Sequence, residues 1–354
     1  MKNKILALLI GIVVIVILVA IFSGQKAKEE MIKVGAILPL SGKLSFLGVS
    51  EINGIKLAVR DFEKEYPDIR IKLIVEDSKG DPKEAATIAN KLIFADKVDV
   101  IFSALSPVSS AVVPITRKSK TLTILISVLS PSFAKEGETV FKFYPDITAF
   151  ASKFAEFLSL RSVTKAGLLI YNVEPGERFI EKFSELFKGE IVGIERFNRE
   201  DSEFKTQLLK LKAKSPEAIV FIGYPINDIY FLSQLVEMDF KPLVLLQLAN
   251  YPPVNKGAKE ALKILKPIST WYTFLKEKNL EFVSRYKEMY ETEPDAEAGY
   301  SYDAMKVFLE CIKLCGKDKN CIIRKLKSME FSGVVSKIIT FDSDGNAILP
   351  VDLI

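Results

Sequence analysis

The chain has 354 residues, 49% of them apolar and 27% charged, a balance that suits the packed cores of two ordinary domains and excludes a disordered chain. Its 49 basic and 45 acidic residues are mixed along the sequence and form no basic stripe, so nucleic acid is not an expected partner. There is no histidine at all, which excludes Ser-His-Asp and Cys-His catalysis and every histidine metal site.

Ile5 to Phe22 is an unbroken apolar run of 18 residues, with Lys2 and Lys4 before it and Lys26 and Lys28 after it. Roughly 18 apolar residues span a bilayer as a helix, whereas a secretory signal has a core of roughly 7–15. Phe22, Ser23 and Gly24 make a poor cleavage site, so the run is read as a membrane anchor followed by a short linker to residue 31. A cleaved signal is the other reading, and both put the remaining chain outside the cell. No cysteine follows the run, so lipid attachment there is not available.

From Met31 onward strands and helices alternate. Ile32 to Leu38 reads as a buried strand, and Ile52, Ile55, Val59 and Phe62 fall at helical spacing. Ile69, Ile71, Leu73 and Val75 alternate as a strand, and Asp81-Pro82 opens the next helix. Strands at Val98–Phe102, Leu122–Val128 and Val140–Phe143 follow, with a short helix from Ser109 to Arg117. The alternation restarts near residue 145, with strands at Ala166–Tyr171, Ile191–Phe197, Ala218–Gly223, Pro242–Leu248 and Ile268–Tyr272. Three helical stretches then begin near Leu280, Ala296 and Cys321, and a strand is expected at Val335–Phe341, closed by the turn Asp342-Ser343-Asp344-Gly345. Such repeats predict two α/β lobes, each a Rossmann-like parallel sheet covered on both faces. Ligands bind such sheets at the carboxyl ends of the strands, so the cleft between lobes is the expected site.

Cys315 and Cys321 bracket the turn-like Gly316–Asn320, and in an oxidising compartment they close a small disulfide loop; Cys311 reads as a buried thiol. No fourth ligand of suitable spacing makes a zinc site, and no acidic residue completes a calcium loop at Asp342, so no metal or cofactor is expected. Ser106, Ser109 and Ser110 stand between a strand end and a helix start, where unpaired backbone N–H groups favour a ligand carboxylate.

Several stretches resemble the type I periplasmic binding proteins, in particular the leucine/isoleucine/valine-binding branch of ABC transporter substrate-binding proteins. They are the start Ile32-Lys33-Val34-Gly35-Ala36-Ile37-Leu38-Pro39-Leu40-Ser41-Gly42, Gly48 with Asn53-Gly54, and Glu76–Pro82. Gly299-Tyr300-Ser301-Tyr302-Asp303-Ala304, Phe331-Ser332-Gly333-Val334 and Phe341–Gly345 complete the set. The resemblance implies two lobes joined by three crossings, near Phe143–Asp146, Tyr272–Phe274 and Ile338–Phe341. Lobe one is then 32–144 plus 274–338, and lobe two 145–273 plus 339–354.

It also implies capture of a small ligand, an amino acid or a related small carboxylate or amide, for an ABC permease, without catalysis. An extracellular sensing domain is the alternative function. By family position Ser106, Ser130 and the backbone of Leu129 meet the ligand's polar end. Leu47 and Tyr224 line its surroundings. Two departures stand out. Pro175 replaces a tyrosine usual in amino-acid binders. The acid usual after a later strand of lobe two is missing, leaving Asn250 there and Glu174 as a substitute for the ammonium's partner.

Overall fold

The computed structural model describes residues 30–135, 139–247, 251–271 and 279–353; the apolar run at 5–22, Asn250 and the expected crossing at 272–274 lie outside them. Among the described residues no helix is long and apolar enough to cross a membrane.

The first half alternates β1 (Glu30–Leu38), α1 (Ser45–Glu65), β2 (Ile69–Asp77), α2 (Pro82–Asn90), β3 (Val100–Ala104), α3 (Ser106–Ser119), β4 (Leu122–Ile126), α4 (Ser132–Lys135) and β5 (Val140–Phe143). Its five strands are all parallel, in the order β2-β1-β3-β4-β5. The pattern repeats with α5 (Ile147–Leu160), β6 (Lys165–Tyr171), α6 (Glu174–Leu186), β7 (Glu190–Phe197), α7 (Lys205–Lys212), β8 (Ala218–Ile222), α8 (Pro225–Glu237), β9 (Leu243–Leu246), α9 (Pro252–Gly257), α10 (Lys259–Leu265) and β10 (Ile268–Trp271). These strands form a second parallel sheet in the order β10-β9-β8-β6-β7. The chain then adds α11 (Leu280–Tyr290), α12 (Ala296–Cys315), α13 (Lys319–Ser328), and the short strands β11 (Thr340–Phe341), β12 (Ala347–Ile348) and β13 (Asp352–Leu353).

The composition of the strands accounts for their depth. In β3, β4 and β8 every residue is buried, because helices cover both faces, and even the polar Ser103 and Thr123 are enclosed. Helix starts follow local chemistry: the Asp81 carboxylate accepts from the Glu84 N–H at 2.9 Å, with Pro82 in the first turn. Asp146 and Asp295 cap α5 and α12 in the same way.

Helices α1 and α12 approach unusually closely. A Cβ on Gly54 would lie 2.2 Å from the Ala298 carbonyl oxygen, so only glycine permits this crossing. Farther along α12, the Asp303 carboxylate accepts from the Val334 and Val335 N–H groups at 2.8 and 2.7 Å. That bond joins two of the stretches that carried the family resemblance.

It also explains why Val335–Phe341 is not one strand. The amides of Val334 and Val335 are committed to Asp303, and Ser336 folds back on Ile338, leaving only Thr340–Phe341 to pair with β12. The expected turn forms between β11 and β12, with Gly345 at φ +98° and Asp342 accepting from the Gly345 and Asn346 N–H groups. This hairpin lies beside β5, where the Lys142 N–H donates to the Gly345 carbonyl at 2.9 Å, before β13 pairs antiparallel with β10 of the second sheet.

Candidate functional site

In each sheet the strand order reverses once, between β1 and β3 and between β6 and β8. Loops at such switch points diverge and leave a crevice at the strands' carboxyl ends. Here the two crevices face one another across a cavity of about 250 Å³, just below the roughly 300–1,000 Å³ usual for small-ligand sites. The first sheet supplies residues after β3 and β4, the second supplies residues after β6, β8 and β9, and α1 and α12 close one side.

Most of the lining is apolar: Leu47, Leu105, Leu129, Phe133, Val173 and Pro175 among others. Two lining residues, Leu105 (φ 69°) and Ser127 (φ 52°), hold left-handed backbone at the ends of β3 and β4. Non-glycine residues adopt this at a cost of about 1–3 kcal/mol, and such strain concentrates at ligand clamps.

The structure brings Leu47, Ser106, Leu129, Ser130, Glu174 and Tyr224 to this cavity. Ser106 begins α3, while the Ser130 hydroxyl is buried and shares a hydrogen bond of 2.7 Å with Ser132. Ser109 is not among the lining residues. One residue round the helix from the cavity-lining Ser110, it turns its hydroxyl inward, 3.1 Å from Ser103. Tyr224 packs edge-on to Tyr171 at 5.7 Å, with the Arg199 guanidinium 5.2 Å from its ring centre. Glu174 reaches the cavity rim, but its carboxylate is held by Arg178 one turn along α6. Cys315 and Cys321 form a disulfide away from the cavity, and Cys311 is free and buried.

Residues not singled out in the sequence supply half of the polar side chains that line the cavity. The Tyr171 hydroxyl is buried with no hydrogen-bond partner among the described residues, and burial pushes its ionisation well up, so it lines the cavity as a neutral phenol. Glu297, in the first turn of α12, is 2% exposed and lines the cavity. Its carboxylate accepts from the Tyr144 hydroxyl at 2.8 Å, and from the hydroxyls of Tyr251 and Ser127. The Ser127 hydroxyl also lies 2.5 Å from a carboxylate oxygen of Glu51, a fully buried residue of α1.

Gly54 lies one turn beyond Glu51 and Ala298 follows Glu297, so the close helix crossing is what brings the two acids to one serine. Burial raises both carboxyls. Glu51 rises well above its usual range, pushed further by the charge of Glu297; for Glu297 the three hydroxyl donors oppose the rise. Only the position of a first-turn acid marked Glu297 in the sequence, and that reads equally as a favourable helix-dipole contact.

The model of the periplasmic binding protein family matches residues 31–354. Among curated proteins, the Leu/Ile/Val-binding protein homolog 7 of Brucella abortus is 23% identical over 343 residues, covering 88% of this chain and 84% of that protein. Among solved structures, the fold is similar to the branched-chain amino acid transporter substrate-binding protein LivJ from Streptococcus pneumoniae in complex with isoleucine. The TM-score is 0.83, with 23% identity and coverage of 91% of this chain and 95% of that one. The leucine-binding protein LivK from Thermotoga maritima gives a TM-score of 0.80 at 26% identity, covering 91% and 94%. An ABC transporter solute-binding protein from R. palustris in complex with benzoate gives 0.82 at 20% identity, covering 91% and 92%.

Proposed function

The chain belongs to the periplasmic binding protein family, and from that premise we propose that it is the extracytoplasmic solute-binding component of an ABC transporter. Its lobes close on a small amino acid, or a related carboxylate or amide, and deliver it to a membrane permease without altering it. The observation that carries this reading is the cavity between the two sheets, small, mostly apolar, and edged by the start of α3 on one side and the unpartnered Tyr171 hydroxyl on the other. A helix N-terminus favours a carboxylate, and an apolar body excludes the water that would compete for it.

In this reading Ser106, Ser130 and the backbone of Leu129 hold the ligand's carboxylate, while Leu47 and Tyr224 enclose its side chain. The chain crosses between lobes near 143–146 and 272–274, and the third crossing falls between β12 and β13 rather than near 338–341, because the β11–β12 hairpin lies beside β5; the run at 5–22 tethers the protein to the cell membrane. Relatives of known complex hold isoleucine in one case and benzoate in another, which supports a compact ligand with one carboxylate.

The test is thermal unfolding of the full chain, kept in mild detergent, against leucine, isoleucine, valine, other amino acids, their deaminated acids, benzoate and simple amides. A ligand that binds only the folded state raises the melting temperature with its concentration. A shift with one chemical class and not the others supports the reading; no shift with any member at millimolar concentration overturns the proposed ligand class.

A further inference from the structure

We propose that Glu297 is the counter-charge for an ammonium group on the ligand, so that this cavity selects amino acids over their deaminated analogues from a position on the first lobe's helix α12. The inference rests on the solute-binding reading above and narrows it.

Ser127 has a single hydroxyl hydrogen, yet its oxygen is in hydrogen-bond contact with Glu51 and with Glu297. One of those contacts needs a proton on a carboxyl group. The remaining oxygens decide which. Glu297 accepts two further hydroxyls, from Tyr144 and Tyr251, whereas the second oxygen of Glu51 is buried without a partner among the described residues. Hydrogen-bond donors favour an ionised carboxylate, and an unpartnered buried oxygen favours a neutral one. Glu51 is therefore the protonated acid and donates to Ser127; Ser127 passes its own hydrogen to Glu297, which is the anion. The stronger upward push on Glu51 agrees with this division.

That leaves a buried anion on the cavity wall with no cation beside it among the described residues. The charges that act on Glu51 are those of Glu297 and Asp295, and the charge that acts on Glu297 is that of Asp295, all acidic. Among the described residues no lysine or arginine lines the cavity, and the other lining acid, Glu174, is already paired with Arg178. A buried charge is costly unless an opposite charge or sufficient hydrogen bonds compensate it. A ligand ammonium beside Glu297 supplies the missing charge, and the ligand's carboxylate then faces the start of α3 from the first sheet's side. A carboxylate ligand without an ammonium would meet Glu297 with repulsion and no compensation.

Calorimetric titration of the full chain with leucine and with 4-methylpentanoate, which is leucine without its amino group, tests this. The expected result is that the wild type binds leucine at least 30-fold more tightly than the deaminated acid, in line with the 2–5 kcal/mol typical of a truncated buried charge pair. Glu297→Gln keeps the shape and is expected to lose most of that preference, its affinity for leucine falling at least tenfold while that for 4-methylpentanoate holds or rises. Equal wild-type affinities, or leucine binding unchanged in Glu297→Gln, would overturn the assignment. Wild-type binding of the deaminated acid or benzoate alone would overturn it while leaving solute binding intact, and binding of no probe would remove both readings. Should Glu297→Gln fail to fold, the comparison of the two ligands on the wild type still decides the matter.

Discussion

The hydroxyl of Tyr251 donates to the carboxylate of Glu297, joining a residue that precedes α9 beside the second sheet to one that opens α12 against the first. Phe46 packs edge-on to the same tyrosine at 6.0 Å, so the cleft is bridged at this point by both a hydrogen bond and an aromatic contact. Tyr251→Phe keeps the ring contact and removes the bond. A hydrogen bond to a charged group is worth about 1.5–3 kcal/mol. The expected outcome is ligand affinity lowered roughly tenfold or more, mostly through faster dissociation in stopped-flow measurements, since contacts of this kind act after encounter.

The crossing of α1 and α12 is a second point of attack. Gly54→Ala places a methyl group 2.2 Å from the Ala298 carbonyl oxygen, and the helices must separate. Overpacking of this kind costs about 1–3 kcal/mol. Because Glu51 and Glu297 sit on either side of that contact, ligand affinity is expected to fall along with the melting temperature. Gly333→Ala serves as the control. Its methyl group would strike the Asp303 carboxylate at 2.1 Å, away from the cavity, so stability should fall while the surviving folded protein binds normally.

Stability is expected to decline as pH rises. Glu51 in the folded protein titrates well above its usual value near 4.5, and Asp303, buried beneath Val334 and Val335, is raised to about 7. For an acid whose folded pKa is raised, the folded state binds the proton more tightly. Its contribution is complete below the unfolded pKa and is lost as pH climbs through the folded one. Denaturant unfolding between pH 4 and 8 should show this loss. Glu51→Gln, which fixes the neutral form, should flatten the part due to Glu51; an unchanged slope would count against a protonated Glu51.

How far the sequence reveals these features depends on the distance over which they act. The strands β3, β4 and β8 were legible because a continuous apolar run between turns is a local signal. Ser106 was legible because a strand end and a helix start are adjacent in the chain, and Ser130 only through the family resemblance. The choice between Ser109 and Ser110 was not, since it depends on the helix phase about α3, which a boundary error of a residue or two reverses. Glu297 escaped notice for a different reason. Its meaning comes from Glu51, Ser127, Tyr144 and Tyr251, which reach it from four other parts of the chain.

The cleft is also bridged at its exposed rim, where Lys43 and Glu200 pair at 2.8 Å. Both side chains are about 70% exposed, so the pair is screened by salt. Lys43→Ala should speed ligand dissociation by no more than about fivefold at low ionic strength, with no difference from the wild type in 1 M salt.

The disulfide between Cys315 and Cys321 spans only six positions and fastens the end of α12 to the start of α13. A ring this small removes little freedom from the unfolded chain beyond what the adjoining turn already removes. It ties neighbours in one lobe and bears on neither the cleft nor its bridges. The lobes are therefore expected to reach their native topology with both thiols free, so that oxidation seals a corner that is already built.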